Sequence, residues 1–302
     1  MTLAAIDVGT NSLKLLVGRV EGREVLPLLH RSTVTRLGEG VAASGVISKP
    51  AADRAIAVLR EYAALAREKG AAAIAAAGTQ VFRAASNAAE VLARIKREAE
   101  LEVRVLTGEE EARVAFRGAA GAAKTPRVLA IDIGGGSTEV MTGGGEELHA
   151  SWSVPAGAVT LTERHLRSDP PSSAEMLPLA ADVKAALDPV VVRAGPDAEL
   201  VGIGGTVSAL LRALRLTTGD DPREHHGRFV AFPEIEALSI RLSLMTTRER
   251  EALGLEPGRA DIVVAGAWLL TAAMSRVEAR GLRASARGLR HGLLLELARP
   301  KP

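Results

Sequence analysis

The chain alternates short apolar runs with longer stretches in which apolar residues recur every three or four positions, a pattern typical of strands alternating with helices. The pattern predicts helices over 51–69, from Asn87 to about Glu100, over 109–122, 260–280 and 289–298, strands over 71–77 and 101–106, and a surface loop over 219–227. Asn87, with Glu90 three residues later, forms a capping-box-like helix start. The sequence therefore predicts an α/β architecture.

Two segments of the chain repeat one another. Residues 5–18 read AIDVGTNSLKLLVG, and residues 130–143 read AIDIGGGSTEVMTG, with the matching Asp, Gly and Ser residues 125 positions apart. Two copies in register, each opening one half of the chain, indicate a duplicated domain. We predict a first domain over 1–120 and a second over 121–302, with a C-terminal helix of about 289–302 that is free to pack back on the first.

Each copy predicts a strand, a tight turn and a second strand, with an Asp at the mouth of the turn. Glycine lets the turn backbone approach a ligand closely and adopt positive φ, so the turn amides and hydroxyls can converge on phosphate oxygens. The alternative is an ordinary hairpin with a capping Asp. The predicted phosphate-binding residues are Gly9, Thr10, Asn11 and Ser12 in the first copy and Gly134, Gly135, Gly136 and Ser137 in the second.

A third glycine cluster, Gly204, Gly205 and Thr206, lies between a short apolar run and a helical pattern. A glycine turn between a strand and a helix presents free amides and the positive end of the helix to an anion. This cluster is therefore a third candidate phosphate-binding loop.

Carboxylates and cations accompany these loops. Asp7, Asp132 and Glu139 could hold a hydrated Mg²⁺ or another divalent cation against the phosphates. Lys14 and Glu139 occupy equivalent positions in the two copies, so one could neutralise phosphate while the other serves the metal or the water. Arg83 lies beside turn-like sequence and could follow a polyanion.

The run Glu109–Glu111 follows a predicted strand near the domain boundary. A carboxylate there could orient and deprotonate a water that attacks phosphorus. Alternatively, glutamates in a first helical turn simply favour the helix dipole.

Composition narrows the choice of function. The formal net charge of +2 argues against a protein that coats polyanions in general, and the 2% aromatic content argues against base stacking on aromatic side chains. The absence of Cys removes thiolate chemistry. The sequence contains no apolar run long enough for a membrane span or a secretory signal, so cytoplasm is the expected location.

The motifs GEEEAR at 108–113 and DIGGGSTE at 132–139 are highly specific in combination. With them, the chain resembles the exopolyphosphatase / guanosine pentaphosphate phosphohydrolase family essentially from end to end. The resemblance implies the duplicated actin-like (ribonuclease H-like) two-domain fold of the acetate kinase–chaperone–actin superfamily, with an interdomain cleft. It also implies that Glu110 is the catalytic base, that Asp132 and Glu139 support the metal and the attacking water, and that Arg83 contacts the substrate chain.

The resemblance implies an exopolyphosphatase that releases terminal orthophosphate from inorganic polyphosphate. Three alternatives remain open: hydrolysis of guanosine pentaphosphate at the same site, an actin-like small-molecule kinase, and a non-catalytic nucleotide sensor. The expected partners are polyphosphate or a guanosine polyphosphate, without nucleic acid or membrane, and a homodimer is left open. Lys14 departs from the Arg that the family often has, which makes the preferred chain length uncertain.

Overall fold

The computed structural model describes residues 1–122, 125, 127–195, 198–217 and 224–299. The chain forms two compact units, one of residues 1–118 with 288–302 and one of residues 119–287. The division falls two residues before the predicted boundary, and the C-terminal segment belongs to the first unit, on which the sequence prediction leaves its helix free to pack. Most of the predicted loop over 219–227 and the predicted helical residues 300–302 lie outside the described residues.

The first unit contains a five-stranded sheet with helices. Its elements are β1 (Thr2–Val8), β2 (Ser12–Glu21), β3 (Glu24–Val34), α1 (Val41–Ser44), α2 (Lys49–Glu68), β4 (Ile74–Gly78), α3 (Gln80–Ala84), α4 (Ala88–Ala99), β5 (Val103–Val105) and α5 (Gly108–Ala119), which a short 3₁₀ turn follows at Ala120–Ala122. The strand order is β3-β2-β1-β4-β5. Strands β1, β2 and β3 are antiparallel neighbours, whereas β1, β4 and β5 run parallel.

The second unit contains a six-stranded sheet. Its elements are β6 (Arg127–Ile133), β7 (Thr138–Gly144), β8 (Glu147–Val154), α6 (Ala158–His165), α7 (Ser173–Leu187), β9 (Ala198–Ile203), α8 (Gly204–Ala213), β10 (Phe229–Ala231), α9 (Phe232–Ser243), α10 (Thr247–Glu251), α11 (Val263–Arg276) and β11 (Gly281–Ala284). The last helix of the chain, α12 (Leu289–Leu297), belongs to the first unit.

The two sheets share one topology. The order β8-β7-β6-β9-β11 in the second unit repeats β3-β2-β1-β4-β5 of the first, with β10 added antiparallel at one edge. In each unit three strands form an antiparallel meander. The first strand of the meander, β1 or β6, also pairs in parallel with the next strand of the sheet, β4 or β9. The repeat found in the sequence is therefore a structural duplication.

The core of the first unit forms on both faces of β1. Ala4, Ile6 and Val8 pack in one cluster with residues of α2, while α12 also contacts β1 and β2. Tyr62 of α2 is buried, and its hydroxyl donates to the Leu13 carbonyl oxygen at 3.2 Å. This hydrogen bond ties the helix to the strand that follows the first glycine turn.

One predicted capping interaction is wrong. Asn87 precedes α4, but its side chain makes no hydrogen bond to the helix. Instead, its Oδ1 accepts from the Ile47 amide and its Nδ2 donates to the Ile47 carbonyl, both at 2.9 Å. A long-range partner thus replaces the local one that the spacing of Asn87 and Glu90 suggests. No helix in the described part of the chain has the length and apolar character needed to cross a bilayer.

Candidate phosphate-binding site

The first glycine turn, residues 9–12, joins β1 to β2 and is packed by a neighbouring segment. The Gly9 amide donates to the Ser12 carbonyl at 3.3 Å. Gly38 donates its amide to the Thr10 carbonyl at 2.8 Å, and the amides of residues 35 and 36 both donate to the Asn11 carbonyl. The carbonyl groups of Thr10 and Asn11 are therefore directed toward the segment that packs on the turn.

The second glycine turn, residues 134–137, has the same construction. The Gly134 amide donates to the Ser137 carbonyl at 2.9 Å. The first amides of α6 donate to carbonyl groups of the turn: the Ala158 amide donates to the Gly134 carbonyl and the Val159 amide to the Gly135 carbonyl, each at 2.9 Å. Helix α6 thus satisfies its own first amides with the loop, which holds the loop in place.

These hydrogen bonds determine the direction of the turn amides. A trans peptide is planar, so the N–H of one residue points opposite to the C=O of the residue before it. The peptide bonds of both turns are trans. Because the carbonyls of residues 10, 11, 134 and 135 bind the packing segments, the amides of Asn11, Ser12, Gly135 and Gly136 point away from those segments. Consecutive amides with one direction form the kind of concave nest that binds anions.

The two turns need glycine for space, not for positive φ. A Cβ at Gly9 would lie 3.0 Å from the Ser12 carbonyl oxygen, and a Cβ at Gly134 would lie 3.0 Å from that of Ser137. Neither glycine has positive φ, contrary to the expectation from the sequence. The match between the two distances is further evidence of duplication.

The carboxylates at the turn mouths have different partners in the two units. Asp7 lies opposite Lys14, with 3.9 Å between Oδ2 and Nζ. Burial raises the pKa of Asp7, and the positive charges of Lys14 and Arg290 offset part of this rise. In the second unit Asp132 lies opposite Glu139, so the equivalent pair consists of two acids.

The acid pair of the second unit fits a divalent cation. Residues directly opposite each other on antiparallel strands share one face of the sheet, and like charges there are destabilising without a counter-ion. Glu139 is 2% exposed, and its Oε1 accepts from the Ser153 hydroxyl at 2.9 Å. Mg²⁺ commonly uses one or two carboxylates, with water and phosphate oxygens completing its shell. Among the described residues, no group of three or more acids or histidines is placed to hold a metal, and Asp7 belongs to the other unit.

The third glycine cluster lies beside the second turn. Strand β9 is parallel to β6 and leads directly into α8 at Gly204, whose φ is +89°. A Cβ on Gly204 would lie 2.3 Å from Oδ1 of Asp132, and the Thr206 hydroxyl donates to the Ile133 carbonyl at 3.3 Å. The start of α8 and the carboxylate of Asp132 are therefore neighbours.

Arg83 and the glutamates lie on the same edge of the first sheet as the first turn. In the parallel strands, Val8 is opposite Gly78, and Gly78 is opposite Val105. The carboxyl ends of β1, β4 and β5 therefore share one edge, the usual location of ligands in open α/β sheets. Arg83 lies in α3 after β4, and the glutamates begin α5 after β5.

Glu110 is fixed at the start of α5 by a reciprocal capping box. Its Oε2 accepts from the Thr107 amide at 2.8 Å, and its own amide donates to the Thr107 hydroxyl at 3.2 Å. These hydrogen bonds, with smaller contributions from Arg104 and Arg113, hold the pKa of Glu110 below its ordinary value. Glu110 is therefore ionised at neutral pH, the state that orienting or deprotonating a water requires.

Two arginines lie near these loops although the sequence does not mark them as site residues. Arg290 of α12 donates to the Leu15 carbonyl at 3.0 Å, and its charge acts on Asp7. A Cβ on Gly205 would lie 2.0 Å from Nη1 of Arg259, so this guanidinium packs against the third cluster. Each arginine is far along the chain from the loop it approaches, and no local motif marks such a contact.

The chain is similar to several known proteins of one family. The family model of the Ppx/GppA phosphatase family matches residues 16–300. Exopolyphosphatase 2 of Mycobacterium tuberculosis is 37% identical over 284 residues, which cover 88% of this chain and 87% of the relative. The Ppx/GppA enzyme of Aquifex aeolicus is 31% identical with a TM-score of 0.81 and covers 98% of this chain and 99% of its own. An exopolyphosphatase from Cytophaga hutchinsonii gives a TM-score of 0.88 at 27% identity, covering 98% and 97%.

The fold and the comparisons define a phosphatase built on a duplicated α/β architecture. The chain belongs to the Ppx/GppA phosphatase family. The predicted family, the enzyme class and the duplicated α/β fold are therefore confirmed, whereas the actin-like assignment and the cleft stay predictions.

Proposed function

We propose that this protein is an exopolyphosphatase that removes terminal orthophosphate from inorganic polyphosphate with a water molecule as nucleophile. The observation that carries the proposal is the pair of duplicated turns whose carbonyls are bound inward, so that consecutive amides point the other way. The names of the relatives support this substrate.

In the proposed reaction Arg83 binds an oxygen of the phosphate chain. Each glycine loop binds phosphate oxygens through its amides and hydroxyls, and Lys14 adds positive charge. The loop donors and Lys14 stabilise the charge that develops on the transferred phosphoryl group. Glu110 orients the attacking water and accepts its proton. Phosphorus gains the water oxygen, the terminal P–O–P bond breaks, and the shortened chain leaves with the bridging oxygen.

Asp132 and Glu139 would hold a divalent cation such as Mg²⁺. When bound, the cation would neutralise charge on the phosphates. The placement of two carboxylates opposite each other across β6 and β7 supports this assignment, because carboxylate oxygens are ligands that Mg²⁺ commonly uses.

The proposal is tested by offering the purified protein and Mg²⁺ long polyphosphate, tripolyphosphate, guanosine pentaphosphate and ATP side by side. We expect orthophosphate from polyphosphate. Exclusive release from guanosine pentaphosphate would instead support the alternative substrate, transfer to an added small molecule would support a kinase, and tight nucleotide binding without turnover would support a sensor.

The role of Glu110 has its own test. Glu110→Gln keeps the shape and the acceptor for the Thr107 amide, but it cannot take a proton. We expect kcat to fall by about 10²- to 10⁴-fold, the range that general bases contribute. Near-normal release by this variant would contradict the proposed mechanism.

A further inference from the structure

The guanidinium of Arg83 is held by groups of its own unit. Nε donates to Oε1 of Gln80 at 3.1 Å. Nη1 donates both to the Leu106 carbonyl at 2.7 Å and to Oε2 of Glu111 at 2.9 Å. The side chains of Arg83 and Glu111 are 21% and 13% exposed, so the ion pair is largely withdrawn from water.

These contacts leave one nitrogen of Arg83 without a partner. A guanidinium has five N–H donors, one on Nε and two on each terminal nitrogen. The contacts above occupy Nε and Nη1. Nη2 is buried and has no hydrogen-bond partner among the described residues. Leaving a buried charged donor unsatisfied is unfavourable, so proteins normally avoid it unless a ligand completes the site.

We propose that Glu111 is a positioning residue, which fixes Arg83 so that Nη2 donates to an oxygen of the bound phosphate chain. The proposal rests on the proposed function, because Arg83 acts there on the substrate. Gln80 and the Leu106 carbonyl fix the same group from other sides, so the guanidinium plane is set before the ligand arrives. A planar, preoriented fork loses less freedom on binding than a mobile one.

Three consecutive glutamates therefore have three different surroundings. Glu109 is exposed, Glu110 forms the capping box with Thr107, and Glu111 forms the ion pair with Arg83. Neighbours on a helix are about 100° apart, so adjacent side chains reach different partners. The sequence run alone cannot assign these roles.

A purely electrostatic role for Glu111 predicts the opposite effect on binding. A negative charge beside Arg83 reduces the attraction of that site for phosphate, so removal of the charge alone would tighten binding. If Glu111 acts by holding the guanidinium in place, its loss weakens binding instead. The two readings differ in sign, which makes them separable by experiment.

The experiment compares Glu111→Ala, Glu111→Gln, Arg83→Ala and the double variant Glu111→Ala/Arg83→Ala, with Glu109→Gln as the matched surface control. Steady-state release of orthophosphate gives KM and kcat for polyphosphate. Calorimetric titration with tripolyphosphate, with each variant also made in the Glu110→Gln background to abolish turnover, gives a dissociation constant. Thermal unfolding checks that each variant is folded.

For Glu111→Ala we expect KM and the tripolyphosphate Kd to rise about tenfold, with kcat changed less than about threefold. Glu111→Gln keeps an acceptor and should recover most of the affinity, and Glu109→Gln should match the wild type. In the Arg83→Ala background, Glu111→Ala should add nothing, because Glu111 acts through Arg83. Should Glu111→Ala fail to fold, Gln80→Ala releases the same guanidinium and should raise KM two- to threefold.

The proposal is overturned if Glu111→Ala binds as tightly as the wild type or more tightly, or if it weakens binding equally with and without Arg83. A fall in kcat at unchanged KM would overturn it as well. Binding of tripolyphosphate by a protein that releases no orthophosphate from long polyphosphate or tripolyphosphate would refute the proposed function, while the Kd series would still decide the role of Glu111. If the wild type binds no tripolyphosphate, both fail.

Discussion

The contact between Gly157 and the second glycine turn offers a sharp test of the loop geometry. Gly157 precedes α6 with φ −143° and ψ 172°, a conformation that alanine adopts without strain. Its substitution by alanine therefore acts only through the added methyl group. An ideal Cβ at this position would lie 2.5 Å from the carbonyl carbon and oxygen of Gly135 and 2.6 Å from the amide nitrogen of Gly136.

The size of the effect follows from these distances. Carbon contacts are normally about 3.5 Å or longer, so the loop or the start of α6 must move by about 1 Å. A displacement of about 1 Å in a catalytic site can reduce activity about 10²-fold, and such overpacking reduces the free energy of unfolding by about 1–3 kcal/mol. For Gly157→Ala we expect kcat/KM for polyphosphate to fall about 10- to 100-fold in a folded protein.

Gly145→Ala is the matched control in the same unit. Gly145 has φ +58°, and a Cβ there would meet no atom within 4 Å. This variant should lose about 1–2 kcal/mol of stability through backbone strain and keep its activity. Orthophosphate release and urea unfolding are measured for both variants. If Gly157→Ala retains activity within twofold of Gly145→Ala, the proposed role of the 134–137 turn is wrong.

Three further predictions concern stability and the cation. Arg250 is 2% exposed and donates to the carbonyls of Leu242, Met245 and Ala260. Arg250→Met should therefore lower the urea-derived free energy of unfolding by about 3 kcal/mol or more. A loss below about 1 kcal/mol would contradict this prediction. Hydrogen bonds from Ser168, Ser172 and a neighbouring amide hold the pKa of Glu175 below its ordinary value of about 4.3. The wild type should therefore be more stable than Glu175→Gln above pH 4.3, and this advantage should shrink as the pH falls. A difference in the free energy of urea unfolding that stays constant down to pH 3 would contradict this. Chelation of divalent cations should reduce orthophosphate release at least tenfold and added Mg²⁺ should restore it, whereas unchanged release in the chelator would refute the cation requirement.

Much of the fold could be predicted because the duplicated hairpins are local. A strand, a glycine turn and a second strand lie within 14 residues, and the repeat of this unit revealed the duplication before any contact was known. The edge strands β3 and β8 left a weaker signal. Both strands are half exposed. In addition, the register of β3 against β2 shifts between Val17 and Gly18, which interrupts the alternation of inward and outward side chains that would have marked β3 as a strand.

The site was predictable where motif residues carry it and unpredictable where distant segments complete it. The turns and Glu110 lie in recognisable motifs. The amides that bind the turn carbonyls, and so set the direction of the turn amides, come instead from Gly38 and from α6. No sequence pattern connects these segments to the turns. The same holds for Arg259 and Arg290, since tertiary packing alone brings them to the loops.

The central claim is that the outward-directed amides of the two glycine turns bind phosphate. Amide NMR of Glu110→Gln protein during titration with tripolyphosphate tests this most directly, since binding proceeds without turnover. We expect the amide signals of Asn11, Ser12, Gly135 and Gly136 to shift on titration and to saturate. Saturable binding that leaves these four signals in place would contradict the claim.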